Sequence, residues 1–507
     1  MKLIGLRLCE HDSNISYFDG NRVRYFKSER MYQKKHHAYR NLYSWRDDFK
    51  NVFGDDPDDV DEIAVVIDPW SHKGLSHAPQ ETYSEFLKVR SSEEFFPAIE
   101  YPDFPSKCKV FRVNHHYAHS LSCWPINNKK VDVDIVIDGF GDMDNTWTVF
   151  KDGRVFGRGY YSSDGSIGCE MVVAGERLNI EAEVGIDISG KLMGLQSYGK
   201  HMEEYAKTLP LSMRYIKEIF DMGRYFSYYQ NSLMARITPL NWIRTVHNHI
   251  GNVLLDFFEN VVDDNDSIIT YSGGVAQNVI WNTLLKKRFP NLIIPPHCND
   301  EGLSLGALEY LRIKNNLPKF ELEDYPYSQS DVKPDSKPNT ETIFKVAKAL
   351  KDGKVVAWYQ GNGEIGPRAL GNRSLLINPM IKDARNIINK IKKREPYRPF
   401  GSSVLKEYQE DYFDSDIYNP YMLYVANTKV PGLESITHID GTCRYQTVDV
   451  NNGSYYNLLK EFHRQTNCPV LLNTSLNING KPIISDFNDL EYFNDKVDLI
   501  VIGNDIY

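Results

Sequence analysis

The sequence predicts an α/β protein with more than one domain. At 507 residues, the chain is longer than a single hydrophobic core usually serves. Four units read as a strand followed by a turn of small or polar residues. The segment 317–340 is rich in Pro, Ser and Asp and lacks apolar periodicity. We therefore expect one domain at 1–316, a linker at 317–340 and a second domain at 341–507.

The first unit predicts a small sheet followed by a short helix. Asp19 and Gly20 separate two runs rich in β-branched and aromatic residues, which is the signal of a hairpin. The elements expected here are a strand at 2–8, the hairpin at 15–26, short strands at 61–68 and 107–113, and a helix at 115–124.

The next three units repeat this pattern. The run 132–142 is a strand that ends in a glycine turn, and a hairpin follows at 145–159. The runs 266–278 and 291–311 each read as strand, turn and helix. Units of this kind are typical of the two-lobed nucleotide-binding fold of the actin and sugar-kinase (ASKHA) type, in which phosphate-binding loops meet in a cleft.

The pattern changes after the linker. A helix is expected at 341–353 and a strand at 354–360, and the stretch 361–374 is then rich in glycine and arginine. A buried-looking strand, PVLL (469–472), follows further on. We expect this second domain to be of the α+β class.

Composition excludes several classes of function. The net charge is −9, and a protein whose main partner is nucleic acid usually carries a basic excess. The basic run 27–37 is expected to be a solvated face, with a binding patch as the alternative. The seven cysteines show no CxxC pair, which disfavours a zinc knuckle or a disulfide framework and fits a reducing cytoplasm. No signal peptide or membrane span is expected.

Glycine turns after two predicted strands are candidate phosphate-binding loops. DGFGD (138–142) offers Gly139 and Gly141, and SGGVAQN (272–278) follows another strand. Backbone N–H groups in such turns can approach phosphate oxygens closely. GKLMGLQSYGK adds Lys191 next to a glycine turn. Neither loop is a Walker A or GxGxxG motif, so ordinary turns remain the alternative.

NHHYAHS (114–120) places two histidines on one predicted helix face. His115 and His119 are four positions apart, and Asp138 and Asp300 each stand where a predicted strand ends. Two imidazoles with two carboxylates suit iron, manganese or zinc. The alternative is a polar helix face with solvated histidines.

The second domain concentrates cations among small residues. The planar guanidinium group of arginine suits doubly charged oxyanions. The stretches that carry these cations also contain glycine, proline, serine and asparagine, so they do not have the pattern of an amphipathic helix. A solvated basic loop is the alternative. Asn473, Thr474 and Ser475 follow the strand PVLL, so their side chains should emerge at its end. The cations are Arg368, Arg373, Lys392, Lys393, Arg394, Arg398 and Arg444.

Together these motifs resemble the O-carbamoyltransferases of the nodulation-factor and antibiotic type, nearly from end to end. The resembling segments, in chain order, are HDSN (11–14), SERMYQKKH (28–36), NHHYAH (114–119), DGFGD (138–142), GKLMGLQSYG (190–199), SGGVAQN (272–278), NDEGLSLGAL (299–308), GEIGPRALGNRS (363–374), KKREPYRPF (392–400), DGTCRYQTV (440–448) and NTSLN (473–477). One departure is Asn362, where family members commonly have arginine.

The resemblance implies two linked activities. The C-terminal domain, which is YrdC-like, would make carbamoyl-adenylate from carbamoyl phosphate and ATP, with Mg²⁺ accompanying ATP. The N-terminal domain, which is like the universal threonylcarbamoyl-transfer protein, would move the carbamoyl group onto an acceptor hydroxyl near Fe(II) or another divalent ion. A monomer or homodimer is expected.

Positions of this chain match the family's functional residues. His115, His119, Asp138 and Asp300 match its metal ligands, and Gly273, Gly274 and Asn278 match its nucleotide loop. Arg368, Lys392, Arg444 and Ser475 fall where the family binds carbamoyl phosphate and ATP, next to Arg394 and Asn473. The sequence leaves open whether Lys392 or Lys393 is the working lysine. His11 is the candidate base for the acceptor hydroxyl, because imidazole titrates near neutral pH.

The acceptor is expected to be a sugar, an antibiotic-like scaffold or a hydroxymethylated nucleotide. One alternative is a threonylcarbamoyl-type enzyme that modifies tRNA. The net charge of −9 disfavours this alternative. The other is a nucleotide-binding regulatory protein without catalysis, which intact metal and anion motifs disfavour.

Overall fold

The computed structural model of the protein describes residues 1–67, 97–182, 184–221, 237–322 and 324–507. Its strands form three sheets with helices packed on them, which confirms the predicted α/β class. None of the helices in these ranges is long and apolar enough to cross a bilayer.

The first sheet has six strands in the order β3-β2-β1-β4-β6-β5. The antiparallel pair β2–β3 is the expected hairpin; β1 pairs antiparallel with β2, and β1, β4 and β6 run parallel. The end of the expected strand 61–68, Asp68, lies outside the described residues. The strands are β1 (Leu3–Arg7), β2 (Asn14–Phe18), β3 (Val23–Lys27), β4 (Glu62–Val66), β5 (Ala98–Glu100) and β6 (Lys109–Val113).

The second sheet repeats the central arrangement of the first. Its order is β11-β10-β7-β8-β9, with β7, β8 and β9 antiparallel and β7, β10 and β11 parallel. This repetition confirms the prediction of two lobes. The strands are β7 (Val133–Ile137), β8 (Asn145–Lys151), β9 (Arg154–Tyr160), β10 (Ile269–Ser272) and β11 (Leu292–Ile293).

The third sheet is mixed, in the order β15-β16-β14-β17-β13-β12-β18-β19. Most of its neighbours are antiparallel, while β14–β16 and β12–β18 are parallel, as an α+β region should be. The strands are β12 (Val356–Tyr359), β13 (Arg373–Ile377), β14 (Gly401–Leu405), β15 (Val425–Asn427), β16 (Thr442–Val448), β17 (Val470–Ser475), β18 (Leu499–Ile502) and β19 (Asp505–Ile506).

Helices cover the faces of the sheets. The longest, Pro239–Val261, carries an apolar face that packs in the core of the second sheet. The α-helices are Ser28–Met31, Trp45–Phe53, His115–Leu121, Tyr161–Asp164, Ile167–Arg177, Ile188–Leu195, Glu203–Ala206, Ile216–Asp221, Pro239–Val261, Val279–Arg288, Leu303–Lys314, Thr340–Lys351, Ala384–Lys392, Gln409–Tyr412 and Ser454–Thr466.

The segment predicted as a linker, 317–340, packs against the rest of the protein. Leu322 and Gln329 form isolated bridges with the outer strand β3, and Gln329 also bridges to Gly363. Asp331 is fully buried, with Oδ2 3.3 Å from a guanidinium nitrogen of Arg373 and 3.8 Å from one of Arg30. Covering an edge strand satisfies its backbone groups, which composition alone does not reveal. The domain boundaries themselves stay a prediction.

Candidate functional site

Two histidines and two aspartates meet at one point. The donor atoms of His115, His119, Asp138 and Asp300 all lie within 4.8 Å of one another, and all four side chains are buried. Nε2 of His119 is 2.9 Å from Oδ2 of Asp138 and 3.4 Å from Oδ1 of Asp300. Nε2 of His115 is 3.2 Å and 3.5 Å from the same two atoms. The structure thus brings together the residues predicted as metal ligands, which we call the histidine–aspartate cluster.

The helix His115–Leu121 presents both imidazoles on one face, as their spacing predicts. Asn114 caps it by accepting a hydrogen bond from the N–H of Tyr117 at 3.0 Å. His116 points elsewhere, and its Nδ1 lies 2.9 Å from the Thr148 hydroxyl. The third histidine of the motif is therefore not part of the cluster.

Asp300 reaches the cluster from the start of a helix, so its predicted place at the end of a strand is wrong. A 3₁₀ turn, Asp300–Gly302, leads directly into the helix Leu303–Lys314. Gly306 lets this helix pack on the histidine helix, because a Cβ there would lie 1.8 Å from the carbonyl oxygen of Ala118. The close contact of the two helices brings the carboxylate to the imidazoles.

Asp138 follows β7 directly, as predicted, and the glycine loops hold it in place. Its Oδ1 accepts hydrogen bonds from the N–H groups of Gly139 at 2.7 Å and Gly274 at 3.1 Å. Gly273 has φ +94°, and a Cβ there would lie 2.2 Å from the carbonyl oxygen of Ile137. The glycine loops therefore orient a member of the cluster as well as flanking the cavity described below.

Arg7 fixes the carboxylate of Asp300 and was not predicted from the sequence. Its guanidinium is fully buried and donates to Oδ2 of Asp300 at 2.9 Å and to the carboxylate of Glu10. Arg7 stands inside the apolar run KLIGLRL, where a charged residue reads as solvent-facing. In the structure β1 is buried along its whole length, and a buried arginine needs acidic partners.

Charge within the cluster is mutually balanced. Burial lowers the pKa of His115, but Asp300 and hydrogen bonds to both carboxylates outweigh burial and raise it to about 10. Burial raises the pKa values of Asp138 and Asp300, but the imidazoles hold both well below their usual range. Two nitrogen and two oxygen donors facing one point fit a divalent transition metal, whose charge would replace that of the protons.

His11 lies beside the cluster in a strained turn. Its Nδ1 is 2.9 Å from Oδ2 of Asp12 and 3.8 Å from Oδ2 of Asp300. Cys9, Glu10 and Asp12 have positive φ values of 62°, 55° and 56°, which non-glycine residues rarely adopt. Strain of this kind is commonly retained where a side chain must be held for function.

Residues 27–30 of the basic run 27–37 are buried and not the solvated face that we expected, whereas Lys34 further along is exposed. Lys27 is buried, and its ammonium pairs with Glu29 at 2.8 Å, Glu301 at 2.6 Å and Asp12 at 3.3 Å. His36 lies 3.0 Å from the same Asp12 carboxylate. Glu29 lies two positions from Lys27, but Asp12 and Glu301 come from other segments, so a local reading of charge does not show that Lys27 is buried.

The third-sheet region gathers cations that are buried or partly buried and have few acidic partners. The Nε atoms of Arg368, Arg394 and Arg444 are buried without a hydrogen-bond partner within the described chain. Burial, and then neighbouring arginines, lower the pKa values of Arg394 and Arg444 well below the usual range. Cations held together in this way are suited to a polyanion. We call the set Arg368, Lys392, Arg394, Arg398 and Arg444 the arginine–lysine cluster.

The structure distinguishes the two adjacent lysines. Lys392 is buried, and its Nζ donates to Oδ1 of Asn477 at 2.6 Å and to Oγ of Ser475 at 3.3 Å. Lys393 is exposed in a left-handed C-cap with φ +50°. Lys392 is therefore the lysine placed with the arginines.

Two polar predictions for this region need correction. Arg373 is fully buried and donates to the carbonyl oxygens of Gln360 and Gly361, so it supports the backbone rather than the cluster. Asn473, Thr474 and Ser475 lie within strand β17 and not beyond its end. Nδ2 of Asn473 donates to Oγ of Ser403 at 3.0 Å, while its Oδ1 is buried without a partner.

Both clusters face one cavity of about 750 Å³. Its wall therefore joins the first two sheets to the third. The predicted site residues that line it are His11, His115, Asp138, Gly139, Gly141, Gly274, Asn278, Asp300, Arg368, Lys392, Arg394, Arg444, Asn473 and Ser475.

Three predicted residues are not on this wall. His119 and Gly273 lie behind it, where they hold Asp138 and the glycine loop. Lys191 is not brought to the cavity, because its ammonium pairs with Glu395 at 2.5 Å. Asn278 does line the cavity, but its Oδ1 caps the helix Val279–Arg288.

One part of the cavity wall is apolar and was not predicted from the sequence. Phe140, Ile167, Met171, Val172 and Met193 line the cavity beside the glycine loops. Phe140 is 47% exposed, and its ring lies 5.1 Å from that of Tyr161. An apolar wall suits a planar base, whereas the N–H groups of Gly139, Gly141 and Gly274 are already bonded within the protein.

Known proteins are similar to this chain along both of its halves. A family model described as the carbamoyltransferase N-terminus matches residues 103–308, and one described as the carbamoyltransferase C-terminus matches residues 347–507. Nodulation protein NolNO of Sinorhizobium fredii is 30% identical over 452 residues, which cover 78% of this chain and 63% of that protein.

Two further relatives support the match. The 3'-hydroxymethylcephem-O-carbamoyltransferase of Amycolatopsis lactamdurans is 37% identical over 248 residues, covering 46% of this chain and 48% of that enzyme. Nodulation protein NolO of Bradyrhizobium diazoefficiens is 27% identical over 440 residues, covering 77% of this chain and 78% of that protein. The aligned regions thus span between 48% and 63% of the first two relatives. Both halves of the family pattern are present in order, and the chain belongs to the carbamoyltransferase family.

Proposed function

We propose that this chain is an ATP-dependent O-carbamoyltransferase that acts on a hydroxyl of a small molecule. The observation that carries the proposal is the single cavity that both clusters face. One cluster suits a cation and the other a polyanion, so one reaction sequence can use both. We assign transfer to the region 1–316 and activation to 341–507.

In the first step, water cleaves carbamoyl phosphate to carbamate and phosphate, and the carbamate then attacks ATP to give carbamoyl-adenylate and pyrophosphate. The new bond joins the carbamate oxygen to the α-phosphorus of ATP, and pyrophosphate leaves. Both substrates are polyanions that repel each other. The partly buried guanidinium groups of Arg368, Arg394 and Arg444 offset that repulsion and stabilise the charge on the departing group.

Lys392 and Ser475 position the first step. The Lys392 ammonium is held by Asn477 and Ser475 at the end of β17, which points it into the cavity at a fixed place. Removal from water makes this charge more effective toward a bound phosphate. Asn362, where family members commonly have arginine, does not line the cavity, so this departure leaves the arginine–lysine cluster intact.

In the second step, the acceptor oxygen attacks the carbamoyl carbon and AMP leaves. A divalent transition ion held by His115, His119, Asp138 and Asp300 would polarise the carbamoyl oxygen or hold the departing nucleotide. Arg7 and the glycine loops keep the two carboxylates in place. The apolar wall is suited to the base of the nucleotide, while the N–H groups of Gly139 and Gly141 already donate to Asp138 and to the carbonyl oxygen of Asn145.

His11 receives the acceptor proton in this scheme. Its Nδ1 faces Asp12, and its Nε2 has no hydrogen-bond partner among the described residues. An aspartate on Nδ1 fixes the tautomer in which Nε2 accepts a proton. The imidazole lines the cavity beside Asp300, where a carbamoyl group on its way to the acceptor would lie.

The test supplies the purified protein with ATP, Mg²⁺, carbamoyl phosphate and Fe(II), and follows pyrophosphate and AMP. Hydroxylated metabolites, sugars and nucleosides are then screened for carbamoylation by mass spectrometry. We expect pyrophosphate release that depends on carbamoyl phosphate and one class of carbamoylated product. ATP that stays intact in the presence of carbamoyl phosphate would overturn the proposal.

A further inference from the structure

The helix Ile188–Leu195 connects the two halves of the cavity wall. It belongs to the transfer region, yet its side chains contact the loop that carries part of the arginine–lysine cluster. Gly194 packs on this loop, with a built Cβ 3.6 Å from Pro399. Lys191, one turn earlier, is buried and pairs with Oε1 of Glu395 at 2.5 Å. The lysine of the motif GKLMGLQSYGK thus faces an acidic side chain and not a nucleotide.

Glu395 has an unusual position between two cations of the cluster. It stands next to Arg394 in the chain, and its Oε2 is 3.5 Å from a guanidinium nitrogen of Arg398. That oxygen is buried without a hydrogen-bond partner. Among the residues that the structure describes, no other acidic side chain lies within ion-pair distance of the arginine–lysine cluster.

The carboxylate of Glu395 is charged in this environment. Burial raises its pKa, but the hydrogen bond from Lys191 and the charge of Arg398 outweigh burial and lower it. A carboxylate free to turn fully onto Arg398 and Arg394 would neutralise them. It would then compete with the phosphates of the substrates for the same guanidinium groups.

We propose that Lys191 is a positioning residue for the anion site, because it holds the Glu395 carboxylate away from the arginines. The proposal rests on the proposed function for the identity of the anions, carbamoyl phosphate and ATP. It makes the affinity of the activation region depend on a residue of the transfer region. Neither residue needs to touch a substrate.

The first test measures binding of carbamoyl phosphate to full-length variants by calorimetry, without ATP. Lys191→Met should weaken binding about tenfold, because Glu395 is released onto the arginines. The double variant Lys191→Met/Glu395→Gln should recover the wild-type affinity within about twofold, since the competing charge is gone. A merely structural role for Lys191 would not be rescued in this way.

Two further variants complete the test. Lys314→Met breaks an ion pair of similar length, 2.6 Å to Glu62, far from the cluster, and should leave binding unchanged. Glu395→Gln alone should bind carbamoyl phosphate at least as tightly as the wild type. That variant keeps the proposal open to refutation even if Lys191→Met does not fold.

The outcomes separate this proposal from the proposed function. Wild-type affinity in Lys191→Met, no recovery in the double variant, or weaker binding in Glu395→Gln would each overturn the role of Lys191. Protein that binds carbamoyl phosphate but never releases pyrophosphate would overturn the proposed function instead, and the binding series would still decide the role of Lys191.

Discussion

The histidine–aspartate cluster and the arginine–lysine cluster face one cavity but handle charge in opposite ways. In the first, imidazoles and carboxylates lie about as close as hydrogen-bond partners, with His119 2.9 Å from Asp138. In the second, partly buried guanidinium groups lie together, and Glu395 is the acidic neighbour, 3.5 Å from Arg398. The first cluster is balanced before any ligand arrives, whereas the second is not.

This difference indicates what each cluster is built to hold. A balanced set of nitrogen and oxygen donors exchanges protons for a metal ion at little electrostatic cost. A set of like charges is costly to bury, and it is retained where a counter-charge arrives with the substrate. The predictions that follow break one cluster at a time and ask whether the other still works.

The largest effect is expected at the edge of the histidine–aspartate cluster. His11→Asn removes the proposed proton acceptor, so carbamoyl transfer should fall about thousandfold. Pyrophosphate release should stay within about twofold of wild type, because His11 is not part of the anion site. Product formation is followed by mass spectrometry with the acceptor found in the screen. The exposed His201 supplies the control, His201→Asn, and an undiminished transfer rate in His11→Asn would rule out the role of His11.

The next effect concerns the unbalanced cluster. Arg394→Met should lower pyrophosphate release about hundredfold, since a preorganised charge on the phosphates is lost. Metal binding should not change. Because the substitution also relieves repulsion from Arg398 and Arg444, the ligand-free protein should not lose thermal stability. Arg464→Met, at an exposed ion pair with Glu461, is the control, and a clear fall in melting temperature in Arg394→Met would contradict this account.

A smaller effect is expected from the loop that orients Asp138. In Gly274→Ala the new Cβ would lie 2.9 Å from Oδ1 of Asp138, so the carboxylate must shift. Metal affinity should fall about tenfold, as it does when groups that orient metal ligands are disturbed. The measurement is a titration with Fe(II) or Zn²⁺. Gly185→Ala, where the nearest atom to the new Cβ is 3.8 Å away, should bind metal normally.

The smallest effect is a pH dependence of stability without ligands. Burial, and then Arg394 and Arg398, lower the pKa of Lys392 well below 10.5. Above that lowered pKa and below 10.5, the unfolded chain binds more protons than the folded one, so stability rises with pH. Lys392→Met should therefore stabilise the ligand-free protein at neutral pH and flatten this rise. Thermal unfolding from neutral pH to pH 10 checks it, with the exposed Lys345→Met as control. A steeper rise in Lys392→Met would count against the buried charge.

The sequence predicted the balanced cluster well because its members stand in regular local structure. The spacing of His115 and His119 is a helix period, and Asp138 stands where the buried strand β7 ends. Asp300 was predicted to stand at the end of a strand. In the structure the strand β11 has two residues, and an irregular stretch separates it from the turn that begins at Asp300. Arg7 was missed because one of its acidic partners, Asp300, lies far away in the sequence, and the other, Glu10, lies beyond the end of its strand.

Predictions failed where orientation between elements decides the outcome. The motif around Lys191 reads as a glycine turn with a cation, and nothing local shows which neighbour that cation will meet. Burial of Lys27 likewise depends on Glu301, which lies near the start of a helix far along the chain. Long-range pairing of charges is set by the packing of whole elements, and residue periodicity does not encode it.

The most direct test compares both half-reactions in two variants, His119→Ala and Arg394→Met. Pyrophosphate release reports activation, and carbamoylated product reports transfer. The account predicts that His119→Ala releases pyrophosphate at close to the wild-type rate but forms almost no product, while Arg394→Met loses both. Loss of pyrophosphate release in His119→Ala, or retention of it in Arg394→Met, would contradict the division of chemistry between the two clusters.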